Sequence, residues 1–375
     1  MRLATILGCI IGLGCATVAP LKTAAQATDP TAILRPSVTP ARDGIFEAFK
    51  THPVVALGDS HDLTQEMDFY IDLIRDPRFA KEIGNVVVEF GDAARQDTMD
   101  RYVNGEDVPY EQLRKVWSDT VGWGPAVSAL IHPDFFAQVR AVNATLDPGK
   151  RIHVWLGDPP IDWSTVKTRA DVTALSQRNR YPAELIQSQI LSKNLKSLVI
   201  YGTFHFYGKN SVKGLVETAY PKTFFVVTPY SGYPNRNCSA TLESNFKNWP
   251  TPALATPVRG TTLEKQLLSP GCKFREGAVI FFPPEVTEAQ KTKMTTDWEE
   301  ESSGVTGDAF LYLGAAATLT ASPTIPDFYL DTAFRAEMDR RARIMSGSPM
   351  RLRAPLTTSP FYVQPYGGWK SEGLK

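Results

Sequence analysis

The chain has 375 residues, with 40 basic side chains against 40 acidic ones, 43% apolar residues and 21% charged ones. Charge neutrality excludes binding of nucleic acid through a broad basic face, because neutralising phosphates needs an excess of Lys and Arg. The composition is too apolar for a disordered chain and too polar for a multi-span membrane protein, which leaves a globular protein long enough for one large α/β domain.

Met1-Arg2 opens the chain, residues 3–20 are apolar and free of acidic side chains, and Lys22 and Ala25-Gln26-Ala27 follow. A basic start, an apolar middle and an Ala-x-Ala exit predict a secretory signal peptide cut after Ala27. The other reading is an uncleaved anchor helix, but the run is shorter than the ~20 residues that span a bilayer. The expected product is periplasmic or secreted, with no stable membrane insertion. Cys9 and Cys15 would leave with the peptide. Cys238 and Cys272 would then pair in an oxidising compartment, closing a loop of about 34 residues worth ~3 kcal/mol. Two unpaired buried thiols are the alternative.

Residues 28–50, rich in Pro, Thr and Ala, read as a lead-in linker. Short apolar runs then alternate with helical stretches. The runs are 53–57, 85–89, 151–156, 197–201 and 223–228, and the helices fall at 64–83, within 96–146, near 183–195 and at 212–220. Continuous β-branched runs alternating with helices predict parallel strands buried on both faces, hence a three-layer α/β/α sandwich with a mainly parallel sheet. Residues 231–276 break the rhythm and read as an insertion stapled by the two cysteines. Strand character resumes at 277–282 and 309–313, a helix follows at 331–345, and 346–375 form a Pro/Gly-rich tail.

The chemistry gathers at the strand exits. They read Gly58-Asp59-Ser60-His61, Glu89-Phe90-Gly91-Asp92, Gly157-Asp158-Pro159-Pro160 and Gly202-Thr203-Phe204-His205. Ligands of open parallel sheets bind outside the carboxyl ends of the strands, so Asp59, His61, Glu89, Asp158 and His205 are expected along one crevice. Each has a plainer reading. Asp59 and Asp158 could cap the turns that follow them, and His205 could be a half-buried ring between two Phe. His153 lies inside a strand and reads as structural; His52 and His132 precede prolines and read as turn or cap residues.

Two mechanisms fit this set. In one, a neutral imidazole acts as general base on water, oriented by Glu89 or Asp59. In the other, His61, Glu89 and His205 hold a divalent metal ion that acidifies bound water. Gly-x-Ser-x-Gly, His-Glu-x-x-His and phosphate-loop patterns are missing from the sequence, which disfavours a serine nucleophile. Tyr207, Tyr230 and Tyr233 follow the fourth and fifth strands, and Trp117 and Trp123 flank a turn. As pocket walls they would favour an apolar ester or ring as the small-molecule substrate; as packing residues they would say nothing about it.

Gly58-Asp59-Ser60-His61-Asp62, Val88-Glu89-Phe90-Gly91 and Gly202-Thr203-Phe204-His205 together resemble the motifs of the erythromycin esterase/ChaN-like superfamily, which also includes the Tiki and TraB-type proteases. The resemblance spans roughly residues 53–345. It implies a three-layer α/β fold with His61, Glu89 and His205 as central site residues and Asp59 beside them. It also implies ester hydrolysis, metal-dependent peptide cleavage or haem binding. Asp59 stands where the motif usually has Glu. Glu66 stands where haem-uptake members tend to have His, which counts against haem as the cofactor. Arg75 and Arg95 are the candidates for the arginine of esterase members. The expected function is that of an exported hydrolase acting on an ester or related bond, with Asp158, Glu66, Arg95 and Tyr230 in binding roles. The alternative is a haem- or metal-binding uptake protein using the same crevice without turnover.

Overall fold

The computed structural model describes residues 35–122, 125–232, 236–269, 287–293 and 307–352, and the account below concerns these. β2 (Val54–Asp59) reads Val-Val-Ala-Leu-Gly-Asp with every residue buried. An unbroken buried run, rather than an alternating one, is what a strand covered on both faces requires. Val55 and Leu57 pack into one apolar cluster with Phe69 and Leu73 of the helix Thr64–Arg75 and Phe135 of the helix Ile131–Asn143. Val54 and Ala56 pack into another with Ile186, Val212 and Val216. The two-residue period of the strand thus sends successive side chains to opposite helical layers, and the fold is a three-layer α/β/α sandwich.

The other strands are β1 (Ser37–Pro40), β3 (Asn85–Asp92), β4 (His153–Asp158), β5 (Ser197–Gly202), β6 (Phe224–Pro229), β7 (Ala253–Thr256) and β8 (Ala309–Tyr312). Their order across the sheet is β1-β7-β8-β6-β2-β5-β3-β4. From β8 to β4 all neighbours are parallel, whereas β7 runs antiparallel to both β8 and β1. The chain moves outward from β2 to β3 and β4, then returns to place β5 between β2 and β3 and β6 beyond β2. That reversal is the topological switch at which open α/β sheets form a crevice.

Local signals set the boundaries. In the helix Thr64–Arg75, Met67, Tyr70, Ile71 and Ile74 make the buried stripe at helical spacing. It stops at Asp76 because the residue before Pro77 is pushed out of helical geometry, and the Asp76 carboxylate accepts the Arg78 N–H to start the next helix.

The strands expected at 53–57, 85–89, 151–156, 197–201, 223–228 and 309–313 are all present. The lead-in segment carries more structure than a linker from residue 35 onward: β1 and the helix Ala41–Ala48. The segment 231–276 contains the helices Arg236–Phe246 and Thr262–Leu267 and the strand β7. Cys238 is buried among Tyr230, Leu242 and Phe246. Cys272, the strand expected at 277–282, the signal segment and most of the tail lie outside the described residues. Among the described residues no helix is long and apolar enough to cross a membrane.

Candidate functional site

β2, β5, β3 and β4 are consecutive in the sheet, so the four polar exits are side by side. At the end of β2 the Asp59 carboxylate takes both the backbone N–H of His61, at 2.9 Å, and its Nδ1, at 3.0 Å. His61 has φ 67°, a left-handed conformation that costs an L-residue about 1–2 kcal/mol. The two bonds to Asp59 hold that turn and leave Nε2 facing away from Asp59. The neighbouring Ser60 donates its N–H and its hydroxyl to Glu66, each at 2.8 Å. The Tyr70 hydroxyl closes the turn by donating to the Gly58 carbonyl.

Glu89 is the hub. β3 pairs with β5 only as far as Val88, and its register against β4 shifts between Val88 and Asp92. Such an irregularity re-aims a side chain, and here the Glu89 carboxylate turns to β5, accepting the Gly202 N–H on Oε2 at 2.6 Å. Oε1 faces His205 Nε2 at 3.2 Å and takes the guanidinium of Arg178. The far side of Arg178 faces Asp158 at 3.5 Å. His205 Nδ1 pairs with Asn179 Oδ1, and Asn179 is fixed in turn by donating to the Asn210 carbonyl at 2.9 Å. Gly202 leaves room for both groups. A Cβ there would lie 3.1 Å from His61 Cε1 and 3.2 Å from both His61 Nε2 and Glu89 Oε2. The His61 ring and the Glu89 carboxylate therefore both overhang the bare backbone of β5, close enough for the charge of Glu89 to act on His61, and His61, Glu89 and His205 form one site.

Charge divides these groups. Burial disfavours the charged His61 ring, but the charge and hydrogen bond of Asp59 outweigh it and raise its pKa to about 9. Burial likewise opposes an ionised Glu89, yet His205 and Arg178 hold it well below the ordinary carboxylate range. Asp59 is lowered by His61 against its own burial. Glu66 goes the other way: burial and the charge of Asp59 raise it well above the usual value, against the two Ser60 bonds. Burial pushes Asp158 up to about 7 despite Arg178. Asp92, paired in register with Asp158 across β3 and β4, is also raised by burial to about 7. The raised pKa favours a protonated His61 ring at neutral pH.

Side-chain exposure is 36% for His61, 24% for Arg178, 17% for His205 and 6% for Glu89. Of these four, His61 is the group a ligand meets first.

Several expected roles change. The set of His61, Glu89 and His205 comes together but does not fit a divalent metal. Both Glu89 oxygens are already engaged, one of them by a fixed cation, and among the described residues no three His, Cys, Asp or Glu side chains are grouped to hold one. Tyr230 does not line the crevice: it is buried among Phe246, Phe310 and Tyr312 and donates to Glu243 at 2.7 Å. Trp117 is core, packed near Phe136. Tyr207 bonds Thr228 at 2.7 Å, and Trp123 and Tyr233 lie outside the described residues. Glu66 supports the Ser60 turn from beneath. Arg75 is bonded to Gln138 on an exposed helix surface, and Arg95 bridges to Asp119 at 2.9 Å beyond the edge of the site. The arginine on Glu89 is Arg178, which the sequence reading passed over together with Asn179. His132 is not a cap but a buried ring stacked on Phe90, 4.4 Å between centroids, with its pKa lowered to about 4 by burial.

No family model matches the chain, and no curated protein matches it. Solved structures resemble it distantly. A Bacillus cereus protein is 12% identical with a TM-score of 0.45, covering 76% of this chain and 93% of its own. The type III effector HopBA1 is 12% identical with a TM-score of 0.36, covering 56% and 90%. ChaN of Campylobacter jejuni, described with cofacial haem bound, is 12% identical with a TM-score of 0.32, covering 51% and 86%.

Proposed function

We propose that the protein is an exported hydrolase in which the Asp59–His61 dyad moves the proton of an attacking water. The observation that carries the reading is the partly exposed His61 ring, tethered through Nδ1 to buried Asp59, with Nε2 over Gly202 at the carboxyl ends of β2, β5 and β3. A carboxylate on one ring nitrogen fixes the tautomer and orientation of the imidazole and stabilises its protonated form, leaving the other nitrogen to act. Water adds to the carbonyl of an ester while its proton passes to Nε2; the leaving alcohol then takes that proton back as the acyl–oxygen bond breaks. Arg178, a permanent cation within electrostatic reach of His61, supplies positive charge for the oxyanion. Glu89 is too firmly held as an anion to serve as the base, and it aligns Arg178, His205 and the Gly202 backbone.

The test is turnover of a panel of carboxylic esters by the purified protein. His61→Gln should lower it at least about 100-fold, within the usual contribution of a general base, with the melting temperature nearly unchanged. Since His61 accepts a proton only when neutral, the wild-type rate should climb up to about pH 9. Turnover that survives His61→Gln overturns the assignment. Absence of turnover together with a Soret band on adding haem replaces it with the binding alternative.

A further inference from the structure

A second cavity lies beside the β3–β4 edge of the site. Its volume is about 930 Å³, near the upper end of the roughly 300–1,000 Å³ range of small-molecule pockets. Three stretches far apart in the chain form it: residues 95–119, the loop 162–168 after β4, and the last turns of the helix Thr332–Ser346. Arg95, Lys115, Lys167, Arg340, Arg341 and Arg343 bring positive charge to its wall, against Asp119, Asp162 and Glu337.

The three carboxylates are already satisfied. Asp119 takes Arg95 and Arg341, each at 2.9 Å. Glu337 takes Arg340 and Arg341 at 2.7 Å. Asp162 is turned into its own loop, accepting the Ser164 N–H at 3.0 Å and hydroxyl at 2.7 Å. Lys115, Lys167 and Arg343 are exposed at the same hollow; Lys167 donates to the Ser164 carbonyl at 3.2 Å and lies within electrostatic reach of Asp171, whose carboxylate is taken by the Thr168 hydroxyl and the N–H groups of Lys167 and Thr168.

The wall itself is rigid. Arg340 donates to the carbonyls of Val166 and Trp163 at 2.8 and 2.9 Å, and Arg341 donates to that of Ser118 at 3.0 Å. The buried Trp163 ring lies under Arg341 at 5.1 Å, and its N–H is bonded to the Asp119 carbonyl at 2.9 Å. Helix, loop and neighbouring helix end are thus locked together by groups that do not need a ligand, while Lys115, Lys167 and Arg343 add positive charge that the three wall carboxylates do not take up. A concave wall of one sign concentrates the opposite ion, and a wall already ordered loses little freedom on binding it.

We propose that this cavity binds a small molecule carrying two or more oxyanion groups, phosphate-like or carboxylate. The volume exceeds what one simple anion fills, and the surplus charge is spread over three side chains. The proposal does not rest on the hydrolase reading, since none of these cations touches Glu89 or His61.

The experiment is isothermal titration of the full chain at low ionic strength with inorganic tripolyphosphate and, separately, with citrate, so that the two kinds of oxyanion are told apart. One-to-one binding of at least one probe is expected. In the Lys167→Gln/Arg343→Gln variant it should weaken at least about tenfold, the loss of one or two charge-assisted contacts, and it should weaken again as salt is raised. Both side chains are exposed, so the fold should be untouched, which circular dichroism checks. Binding should be unchanged in His61→Gln. If neither probe binds, if the double variant binds as well as the wild type, or if His61→Gln abolishes binding, the proposal fails.

Discussion

Replacing Arg178 with Gln tests the charge network most directly. Arg178 is 24% exposed, but its partners Glu89 and Asp158 are only 6% and 2% exposed. Removing the guanidinium leaves two neighbouring buried carboxyls with no fixed cation between them. Breaking a buried pair on one side costs about 3–5 kcal/mol, and the partial exposure of Arg178 puts this case at the lower end, about 3 kcal/mol. The sign with pH follows from the same contacts. Arg178 lowers the pKa of both Glu89 and Asp158. Without it both rise, and the folded variant binds protons that the folded wild type does not. The deficit should be largest at alkaline pH and should shrink as pH falls. Asp158 already stands at about 7, so the shrinkage should be measurable between about pH 8 and about pH 6. Urea denaturation followed by tryptophan fluorescence at both pH values gives the numbers, and Arg178→Lys should recover part of the loss. A deficit below about 1 kcal/mol that is the same at both pH values is the behaviour of a solvated surface pair. It would refute the buried-hub account.

Asp59→Asn removes the partner that raises His61, so the midpoint of the rising limb of the ester rate should move from about 9 toward the ordinary 6.5; an unmoved limb assigns the titration to another group. The same pair links stability to pH. A histidine whose folded pKa is raised stabilises the fold fully below 6.5, and that contribution is lost as pH rises through about 9. Asp59→Asn should therefore lower the melting temperature more at pH 6 than at pH 10. Gly202→Ala places a methyl against His61 and Glu89 in a backbone conformation Ala tolerates, φ −47°. Activity should fall severalfold or more while stability changes by less than about 1 kcal/mol; full activity would mean the placement of the two side chains does not depend on the bare backbone at 202. Reductant should lower the melting temperature through the pair proposed between Cys238 and Cys272, by about 2–4 kcal/mol of stability; an unchanged melt rejects the staple.

The parallel strands were legible because β-branched runs such as Val86-Val87-Val88 and Leu198-Val199-Ile200 have few other places to go. The short strands β1 and β7 were not. Ser-Val-Thr-Pro and Ala-Leu-Ala-Thr are four-residue strands made so not by composition but by pairing, β7 with β8 and β1 with β7. The convergence of His61, Glu89 and His205 could be anticipated from the polar residues at each exit. What could not be read was the order of the strands, with β5 between β2 and β3, which is what puts Gly202 beneath both side chains. Arg178 escaped notice because it sits mid-connection in Gln177-Arg178-Asn179-Arg180, away from any strand end. The signal was indirect: an acid at a strand end beside apolar residues, Glu89, needed a cation. Tyr230 misled because it does follow a strand; its hydroxyl partner Glu243 comes from a helix in the segment read as an insertion.

The insertion of β5 between β2 and β3 has a consequence for assembly. Asp59, His61 and Glu89 are all made before residue 197, but in a chain stopped there they would flank an unfilled slot one strand wide. The second half of the polypeptide is therefore the keystone. Two fragments divided in the connection between β4 and β5 should each be inert, and recovery of activity on mixing would report that the missing strand had slid home.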